Sequence, residues 1–498
     1  MDIWNFENKS SMQILEFFGN LFDSYFSNKN LTKLLDSIQL TNNINIDTFD
    51  NHSLAILNYF LGNAWSYVAK LKNPIPNFDF EVEEIDKEIT FYRKAFELIQ
   101  GYDDKFISCQ ILTNLGNLFS HIGRFVEAQE YYNLCLDIDD KFGMAIGNKG
   151  FSLFHYAREV FDPYHQFIFI QYARRYLKDS LKFSDVYVEA KKDFSSIVKQ
   201  IEDKYPISIL DDLKKYDNYY NTLEKEEVEY RTWCAENRLF LNPLNDVLTD
   251  SVVATDYLFI PSMVLSVYEK PIFHTMYNQL KQEFVSSRYL FYESLLYNGT
   301  HFSDKNVTLM DTLDYSAYSF RIEKTKIAFR VCYSIFDKIA YFLNLYFKLG
   351  NKSDKVTFRN IWYVNLKKDH GLNNKLAKAE NWALRGLYWL SKDLYEKEFD
   401  ITIEPQAKEI AKIRNYIEHK SFKVIETLNF RHAEEAETYE INRDLFIEKT
   451  LKVIKLSRSA LMYLAYSIYE EESKRDKFRN RATIMPVNFI NLDDELKT

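Results

Sequence analysis

The stretch that decides the fold is LTNLGNLFSHIGRFVEAQEYYNLCLDID, residues 112–139. Small residues at Gly116 and Ala128 alternate with large ones at Phe119 and Tyr132. When two antiparallel helices pack together, small residues let the helix axes approach and large residues fill the space between them. The spacing therefore predicts a pair of antiparallel helices.

Two further segments carry a similar pattern. A shift of about 34 residues, the period of the tetratricopeptide repeat, leads to residues 145–157, where Gly150 takes the place of the first pair's glycine. The second helix of this pair is predicted over residues 170–183, after an insertion. Upstream, residues 59–72 repeat the Leu-Gly-x-x-aromatic pattern, and residues 89–99 are the predicted partner helix. The amino-terminal region thus resembles three imperfect tetratricopeptide repeats; a generic helical domain is the alternative.

The composition favours helices throughout the chain. Of the 498 residues, 46 % are hydrophobic and 27 % charged, which is typical of a globular protein with a large core. The chain has 40 Phe and 36 Tyr but only 12 Gly and 9 Pro, too few turn residues for a strand-rich sandwich. We therefore expect an all-α protein.

Long amphipathic runs dominate the second half. Apolar residues recur there at intervals of three and four, which predicts the helices of a bundle. These runs cover residues 276–297, 318–349, 381–396 and 441–472. The expected division is a tetratricopeptide-like domain over residues 1–222, a connecting segment over 223–271 and a helical-bundle domain over 272–498.

The sequence predicts a cytoplasmic protein without a membrane span. Its amino terminus, MDIWNFENKSSMQ, has no basic segment followed by an apolar run, so no secretory signal is expected. The most apolar stretch, residues 331–347, is interrupted by Asp337 and Lys338 and falls short of the roughly 20 residues that a span needs. The cysteines form no Cys-x-x-Cys pair and are predicted to be core residues: Cys109, Cys135, Cys234 and Cys332.

Several enzyme classes are excluded by missing motifs. The chain has no phosphate-binding P-loop, no Gly-x-Gly-x-x-Gly, no Gly-x-Ser-x-Gly and no His-Glu-x-x-His. We therefore expect neither a metal nor a cofactor. The net charge of −9 argues against a surface covered in phosphate-binding groups, but a nuclease needs only a local basic patch. The candidate cations for such a patch are Lys420, Lys474, Arg475, Lys477, Arg479 and Arg481, the last five of which also fit an ordinary solvent-exposed helix end.

One polar motif stands out, KIRNYIEHKSF at residues 412–422. An apolar stripe predicts a helix here, starting near Pro405. At about 100° per residue, Asn415 and His419 lie about 40° apart around the helix axis, whereas Arg414 and His419 lie about 140° apart. A single helix therefore separates the arginine from the histidine, and two copies facing each other across a dimer would bring them into one cleft. The other pair with a similar spacing, Arg158 and His165, flanks Pro163 and is not expected to share a helix.

The motif suits cleavage of RNA through the 2′-hydroxyl. His419 can serve as general base or general acid near neutral pH. Arg414 can hold the scissile phosphate, and Asn415 can orient the phosphate or the histidine. Glu418 is expected to pair with Arg414 one turn away and to hold the site inactive.

These residues resemble the motif of the HEPN superfamily of endoribonucleases. The segments EYRTWCAENRLFLNPLND, RIEKTKIAFRVCYSIFDKIAYFLN, LRGLYWLSKDL and IRNYIEHK together are similar to a bacterial HEPN subfamily with a tetratricopeptide-like amino-terminal region. The resemblance covers roughly residues 225–470. It implies a metal-independent RNase that acts as a homodimer through its HEPN domain, in a toxin–antitoxin or anti-phage setting. Arg414 and His419 match the two essential positions and Asn415 the polar position between them; Glu418 matches no general position of the superfamily.

Two classes of function follow as hypotheses. The first is an endoribonuclease, with tRNA among its candidate substrates and with the repeats as a sensor surface for a protein trigger or inhibitor. The second is a non-catalytic scaffold, in which the repeats bind a partner and the bundle dimerises. A variant of the first is a toxin that a nucleotidyltransferase antitoxin silences.

Overall fold

A computed structural model describes residues 6, 9–73, 78–213, 220, 223–266, 268–296, 299–311, 313, 315–395, 407–426, 437–477, 484–485 and 492–497. Within these residues the chain forms 17 α-helices and one two-stranded sheet, which confirms the predicted all-α class. The amino-terminal helices are α1 (Ser11–Ser27), α2 (Leu31–Leu40), α3 (Asn51–Lys72), α4 (Glu83–Ile99), α5 (Lys105–His121), α6 (Phe125–Ile138), α7 (Gly143–Tyr156), α8 (Pro163–Ser180), α9 (Val188–Lys204) and α10 (Ile207–Asp211).

Three antiparallel helix pairs occupy the places where the glycine pattern predicts them: α3 with α4, α5 with α6, and α7 with α8. In the first two pairs a tyrosine ring covers the glycine of the opposite helix. A Cβ atom on Gly62 or on Gly116 would lie 2.5 Å from the ring of Tyr92 or Tyr132, respectively. Each tyrosine hydroxyl donates to the asparagine that follows the glycine, at 2.7 Å to Asn63 and 2.8 Å to Asn117.

The third pair departs from the predicted boundaries. Helix α8 begins at Pro163, not near residue 170, so most of the expected insertion is helical. Proline suits the first helical position because it has no N–H to offer, and the Asp162 carboxylate caps the helix by accepting from the His165 N–H at 2.9 Å. Arg158 lies in the turn before this helix, so the Arg158–His165 pair does not share a helix.

The second half forms the predicted bundle. All four amphipathic runs are helical, with ends within a few residues of the expected ones. Its elements are α11 (Lys225–Glu236), α12 (Ile272–Leu296), α13 (Phe320–Tyr346), α14 (Asn374–Ala377), α15 (Trp382–Tyr395), α16 (Ala407–His419), β1 (Ser421–Ile425), β2 (Thr438–Asn442) and α17 (Arg443–Asp476). Residues 331–347 lie in α13 and its C-cap, and no helix among the described residues has both the length and the apolarity of a membrane span.

The sheet was not predicted. Strands β1 and β2 run parallel, with Phe422 opposite Tyr439 and Val424 opposite Ile441. All four of these side chains are buried against the bundle. The expected start of α16 at Pro405 lies outside the described residues.

The two halves share one apolar core, which runs without a break from α3 to α17. Residues 223–271 take part in it and form a packed joint. The buried Asp246 carboxylate accepts from Arg458 of α17 at 2.7 Å and from the Tyr156 hydroxyl of α7 at 2.8 Å. The division at residues 222 and 272 stays a prediction. The cysteines are buried and unbridged, as expected: Cys109, Cys135, Cys234 and Cys332.

A buried ion network joins the amino-terminal helix pairs to α15. The Asp393 carboxylate accepts from Arg93 at 2.8 and 3.0 Å and also from Arg124. Arg124 donates in addition to Glu127 at 2.9 Å, and the Tyr463 hydroxyl of α17 donates to the same carboxylate. Two cations and two anions therefore balance each other inside the interface.

The same interface includes a contact between two backbones. Gly123, in the turn between α5 and α6, has a φ of +89° and lies against Gly386 of α15. A Cβ atom on Gly123 would lie 2.8 Å from the Gly386 nitrogen and closer still to the Trp382 carbonyl oxygen. Only glycine combines this backbone conformation with so close an approach.

Candidate functional site

Helix α16 carries the Arg-Asn-x-x-x-His motif on the surface of the bundle. It buries Ile410, Ile413 and Tyr416 and half-buries Ile417, which confirms the predicted apolar stripe. The helix packs against α13 and α15 and continues into β1. Its orientation is therefore fixed by apolar contacts, and its polar residues take the remaining faces.

Arg414 is half-buried and lines a cavity of about 550 Å³ between α13, α15 and α16. Its Cζ atom lies 5.8 Å from the centre of the Tyr333 ring. Asp337 lines the same cavity and accepts from the Phe358 N–H at 2.9 Å. Burial raises the pKa of Asp337, although Phe358 and Arg414 act in the opposite direction.

Asn415 and His419 lie on the exposed face of the same helix. Neither side chain forms a hydrogen bond or an ion pair with any residue that the structure describes. The His419 ring does not line the cavity that contains Arg414. As the helical spacing predicts, one copy of α16 does not bring the arginine and the histidine into one site.

Glu418 does not pair with Arg414, so the predicted ion pair within the helix is wrong. Its carboxylate accepts from Arg330 of α13, at 2.9 Å from Nε and 3.3 Å from a terminal nitrogen. The hydrogen bond from Arg330 lowers the pKa of Glu418, and the charges of Arg330, Arg414 and His419 act in the same direction. Glu418 pairs with Arg330 because the Arg330 guanidinium presents two donors, one to each carboxylate oxygen, across the helix interface.

The structure does not bring Lys474 or Arg475 to Arg414 within one chain. Lys474 donates to the Ala379 carbonyl at 2.5 Å and pairs with Glu470 at 2.9 Å. Arg475 lies over Tyr346, which is about 20 Å along α13 from the ring beside Arg414. Lys477 is exposed at the end of α17, while Arg479 and Arg481 lie outside the described residues. Lys420 is exposed beside the motif, with its ammonium over Tyr416.

The cavity beside Arg414 is a feature that the sequence did not reveal. Its walls come from α13, from the segment of residues 357–368 and from α15 and α16, so no local motif connects them. Cations and aromatic rings share this surface. The lining residues of these two kinds are Arg359, Lys368, Lys392 and Arg414, and Tyr333, Trp362, Tyr363, Tyr388 and Tyr395.

An exposed apolar segment lies near the motif; we call residues 302–320 the apolar arm. The arm joins the edge of the small sheet, because the Ala317 N–H donates to the Val424 carbonyl at 2.7 Å. Its exposed apolar side chains include Phe302, Leu309, Met310, Leu313, Tyr315 and Tyr318.

The comparison with known families covers the carboxyl-terminal part of the chain. Residues 264–471, which run from just before α12 into α17, match the family model described as LA2681-like HEPN. No curated protein and no solved structure matches the chain significantly. The matched residues include the motif on α16, the lining of the cavity and the apolar arm. Residues 264–471 are therefore a domain of the HEPN superfamily.

Proposed function

We propose that this protein is a metal-independent endoribonuclease whose active site forms between two copies of the chain. The carrying observation is the Arg-Asn-x-x-x-His motif on α16 of a HEPN domain, with Asn415 and His419 open to solvent. Arg414 enters the cation-lined cavity on the neighbouring face. Both parts of the motif are thus accessible, but within one chain Arg414 lies apart from Asn415 and His419.

A second copy supplies the missing half. In a two-fold dimer the same patch meets itself, so the α16 helices of the two copies can face each other across the axis. The apolar arm supports this arrangement, because burial of its exposed side chains favours association and the arm adjoins β1, which follows His419 directly. The composite cleft would hold two copies each of Arg414, Asn415 and His419.

The reaction uses groups that RNA and the motif supply. His419 takes the proton of the 2′-hydroxyl, and the 2′-oxygen attacks the adjacent phosphorus as the bond to the 5′-oxygen breaks. The leaving 5′-oxygen takes up a proton from a protonated His419 side chain in the composite cleft of the dimer. Arg414 binds the phosphate oxygens and stabilises the charge that develops on them. The products are a 2′,3′-cyclic phosphate and a free 5′-hydroxyl.

The amino-terminal helix pairs act in this proposal as the sensor or docking surface for a protein trigger or inhibitor. This role is supported by the buried ion network and the backbone contact that join the helix pairs to α15, next to the motif helix. The setting we propose is a toxin or anti-phage effector, with tRNA as a candidate substrate.

Incubation of the full-length dimer with total RNA in EDTA tests the activity. We expect cleavage with 2′,3′-cyclic phosphate ends and no cleavage of DNA. Arg414→Ala or His419→Ala abolishes it, because each removes a group that the transition state needs. Arg158→Ala and His165→Ala are the matched controls, since they make the same changes in the other Arg–His pair.

Cleavage that persists in both motif variants, or that requires a divalent metal, contradicts this mechanism. A folded dimer that cuts no RNA and has no toxicity on expression in bacteria favours the alternative, a non-catalytic scaffold.

A further inference from the structure

We propose that the cavity beside Arg414 binds one nucleotide of an RNA chain, next to the phosphate that is cut. The cavity would then select which position in the RNA is presented to the motif. The assignment of RNA as ligand rests on the proposed function, whereas the chemistry of the cavity is independent of it.

The size and enclosure of the cavity suit a single nucleotide. Its volume of about 550 Å³ lies within the range of roughly 300–1,000 Å³ for pockets that enclose a small ligand. Elements on three sides build it: α13, α15 with α16, and residues 357–368. A folded duplex is too wide for such a space, so the natural occupant is a base that has left its stack.

Fixed aromatic rings form the inner wall. The Trp362 ring is held by its Nε1–H, which donates to the Phe358 carbonyl at 2.8 Å. Tyr388 lies at its edge, with the ring centres 5.6 Å apart and the planes at 81°. Tyr333 and Tyr395 pack in the same edge-on manner at 6.1 Å. Trp362 and Tyr388 are each only 1 % exposed, so they stiffen this wall from behind, and the half-buried ring of Tyr395 is the surface that an unstacked base would meet.

Cations at the rim favour a phosphate group. Arg359 and Lys368 are exposed on the segment of residues 357–368 and line the same cavity as Arg414. Lys392 is buried and paired with Asp86 at 2.5 Å, so it adds little net charge. Asp337 is the carboxylate among the described lining residues. Among the described lining residues the cations outnumber the single carboxylate around an aromatic wall, which matches a base with its phosphates and does not match an apolar peptide.

Arg414 connects this cavity to the motif. Its side chain lines the cavity while the next residue, Asn415, is exposed on the face that carries His419. An RNA chain that places one base in the cavity therefore places the adjoining phosphate at α16. Arg414 would contact that phosphate, and Arg359 and Lys368 would contact the phosphate on the other side of the bound nucleotide.

RNA binding by the full-length His419→Ala protein tests the cavity without cleavage. Arg359→Ala combined with Lys368→Ala removes the two rim cations. Fluorescence anisotropy with labelled single-stranded RNA should show binding about tenfold weaker or more. The slope of log affinity against log salt should fall in magnitude by about 1.4. Lys355→Ala combined with Lys367→Ala is the control, because both lysines are exposed in the same region but neither lines the cavity.

The outcomes separate this inference from the proposed function. If wild-type protein cuts RNA, and the two rim substitutions change neither binding by the His419→Ala protein nor the positions of the cuts when His419 is retained, the cavity inference is wrong and the function stands. If wild-type protein cuts nothing but only the rim variant loses RNA binding, the function is wrong and the cavity inference stands. Equal losses in the rim and control variants overturn the inference, as does tight binding of free nucleoside monophosphates that RNA cannot displace.

Discussion

Glu418 and Arg330 form an ion pair directly beside His419. The pair is partly exposed and joins α16 to α13. The low pKa of Glu418 keeps its carboxylate ionised at neutral pH, next to the place where the proposed mechanism puts a phosphate. Glu418 therefore brings a negative charge to the site, and it also pairs with Arg330, a cation that could otherwise contact RNA.

The substitution Glu418→Gln should strengthen RNA binding by a few-fold at low salt, because it removes repulsion and releases Arg330. Arg330→Gln should weaken binding by a similar factor, since it leaves Glu418 unpaired. Both effects shrink as salt rises. Anisotropy titrations in the His419→Ala protein measure them, and Glu323→Gln, a charge change in the first turn of α13, is the control.

Little change in stability is expected from either substitution, because a partly exposed ion pair contributes about 0–1 kcal/mol. Binding changes of the same sign in both variants would show that the pair positions α16 and has no electrostatic role toward RNA.

At the scale of elements, the repeated Gly-Asn against Tyr contact builds the first two helix pairs. The ring covers the glycine, and the hydroxyl bonds to the next asparagine, so the pair is fixed both in distance and in register. Glu88 lies inside the first pair, where burial against α3 raises its pKa to about 7 in spite of Ser66 and Lys70. This helix pair therefore has a pH-dependent stability.

The sign of that dependence follows from linkage. Above the ordinary pKa of 4.5 the unfolded chain releases the Glu88 proton, while the folded chain keeps it up to about pH 7. Stability should fall as pH rises through this window. Glu88→Gln should remove this loss of stability. By about pH 8 its free energy of unfolding should exceed that of the wild type by up to roughly 3 kcal/mol.

Thermal unfolding midpoints across this pH range measure the gain. Glu97→Gln, an exposed carboxyl on the same helix, is the control. Wild-type and Glu88→Gln curves that stay parallel at all pH values would contradict the prediction.

The sequence predicted the helices because their signals are local. Apolar spacing located α12, α13, α15 and α17, and the glycines located the first helix of each pair. The sheet was not predicted because its strands are five residues each and are separated along the chain, with Ser421 opposite Thr438. The alternation of Phe422 with Val424 and of Tyr439 with Ile441 was the available signal, but such short runs do not separate a strand from a helix end.

The candidate site was predictable to the same extent. The spacing of Arg414 and His419 on one helix already implied that they point apart. The partner of Glu418 and the cavity were not predictable, because both depend on residues that lie tens of positions away in the chain. Lys474 and Arg475 pair with carboxylates of their own helix, which charge density alone does not reveal, and the assignment of the carboxyl-terminal cations to RNA stays a prediction.

At the scale of the whole molecule, the network around Asp393 joins the amino-terminal helix pairs to the bundle. The carboxylate is shared by Arg93 and Arg124, and all three groups are buried. Asp393→Asn would leave two guanidinium groups facing one remaining carboxylate, that of Glu127. Removal of one partner from a buried ion pair typically costs 3–5 kcal/mol, because an uncompensated charge stays inside.

We therefore expect Asp393→Asn to lower the unfolding midpoint strongly, with a loss of about 3–5 kcal/mol. Asp211→Asn is the matched control: its carboxylate pairs with Arg174 but is largely exposed, so its loss should cost about 1 kcal/mol or less. Differential scanning calorimetry measures both. Equal small effects would show that the network contributes no more than a surface pair.

The contact of Gly123 with Gly386 has a mechanical consequence. Side chains that touch can change rotamer and so absorb a small displacement, but two backbones in contact have no such slack. We therefore expect a shift of the turn between α5 and α6 to move α15 as well, and α15 supplies Ser391, Lys392 and Tyr395 to the cavity wall. A partner that displaces the amino-terminal helix pairs would therefore also displace the wall of the cavity beside Arg414, because the two backbones are in direct contact.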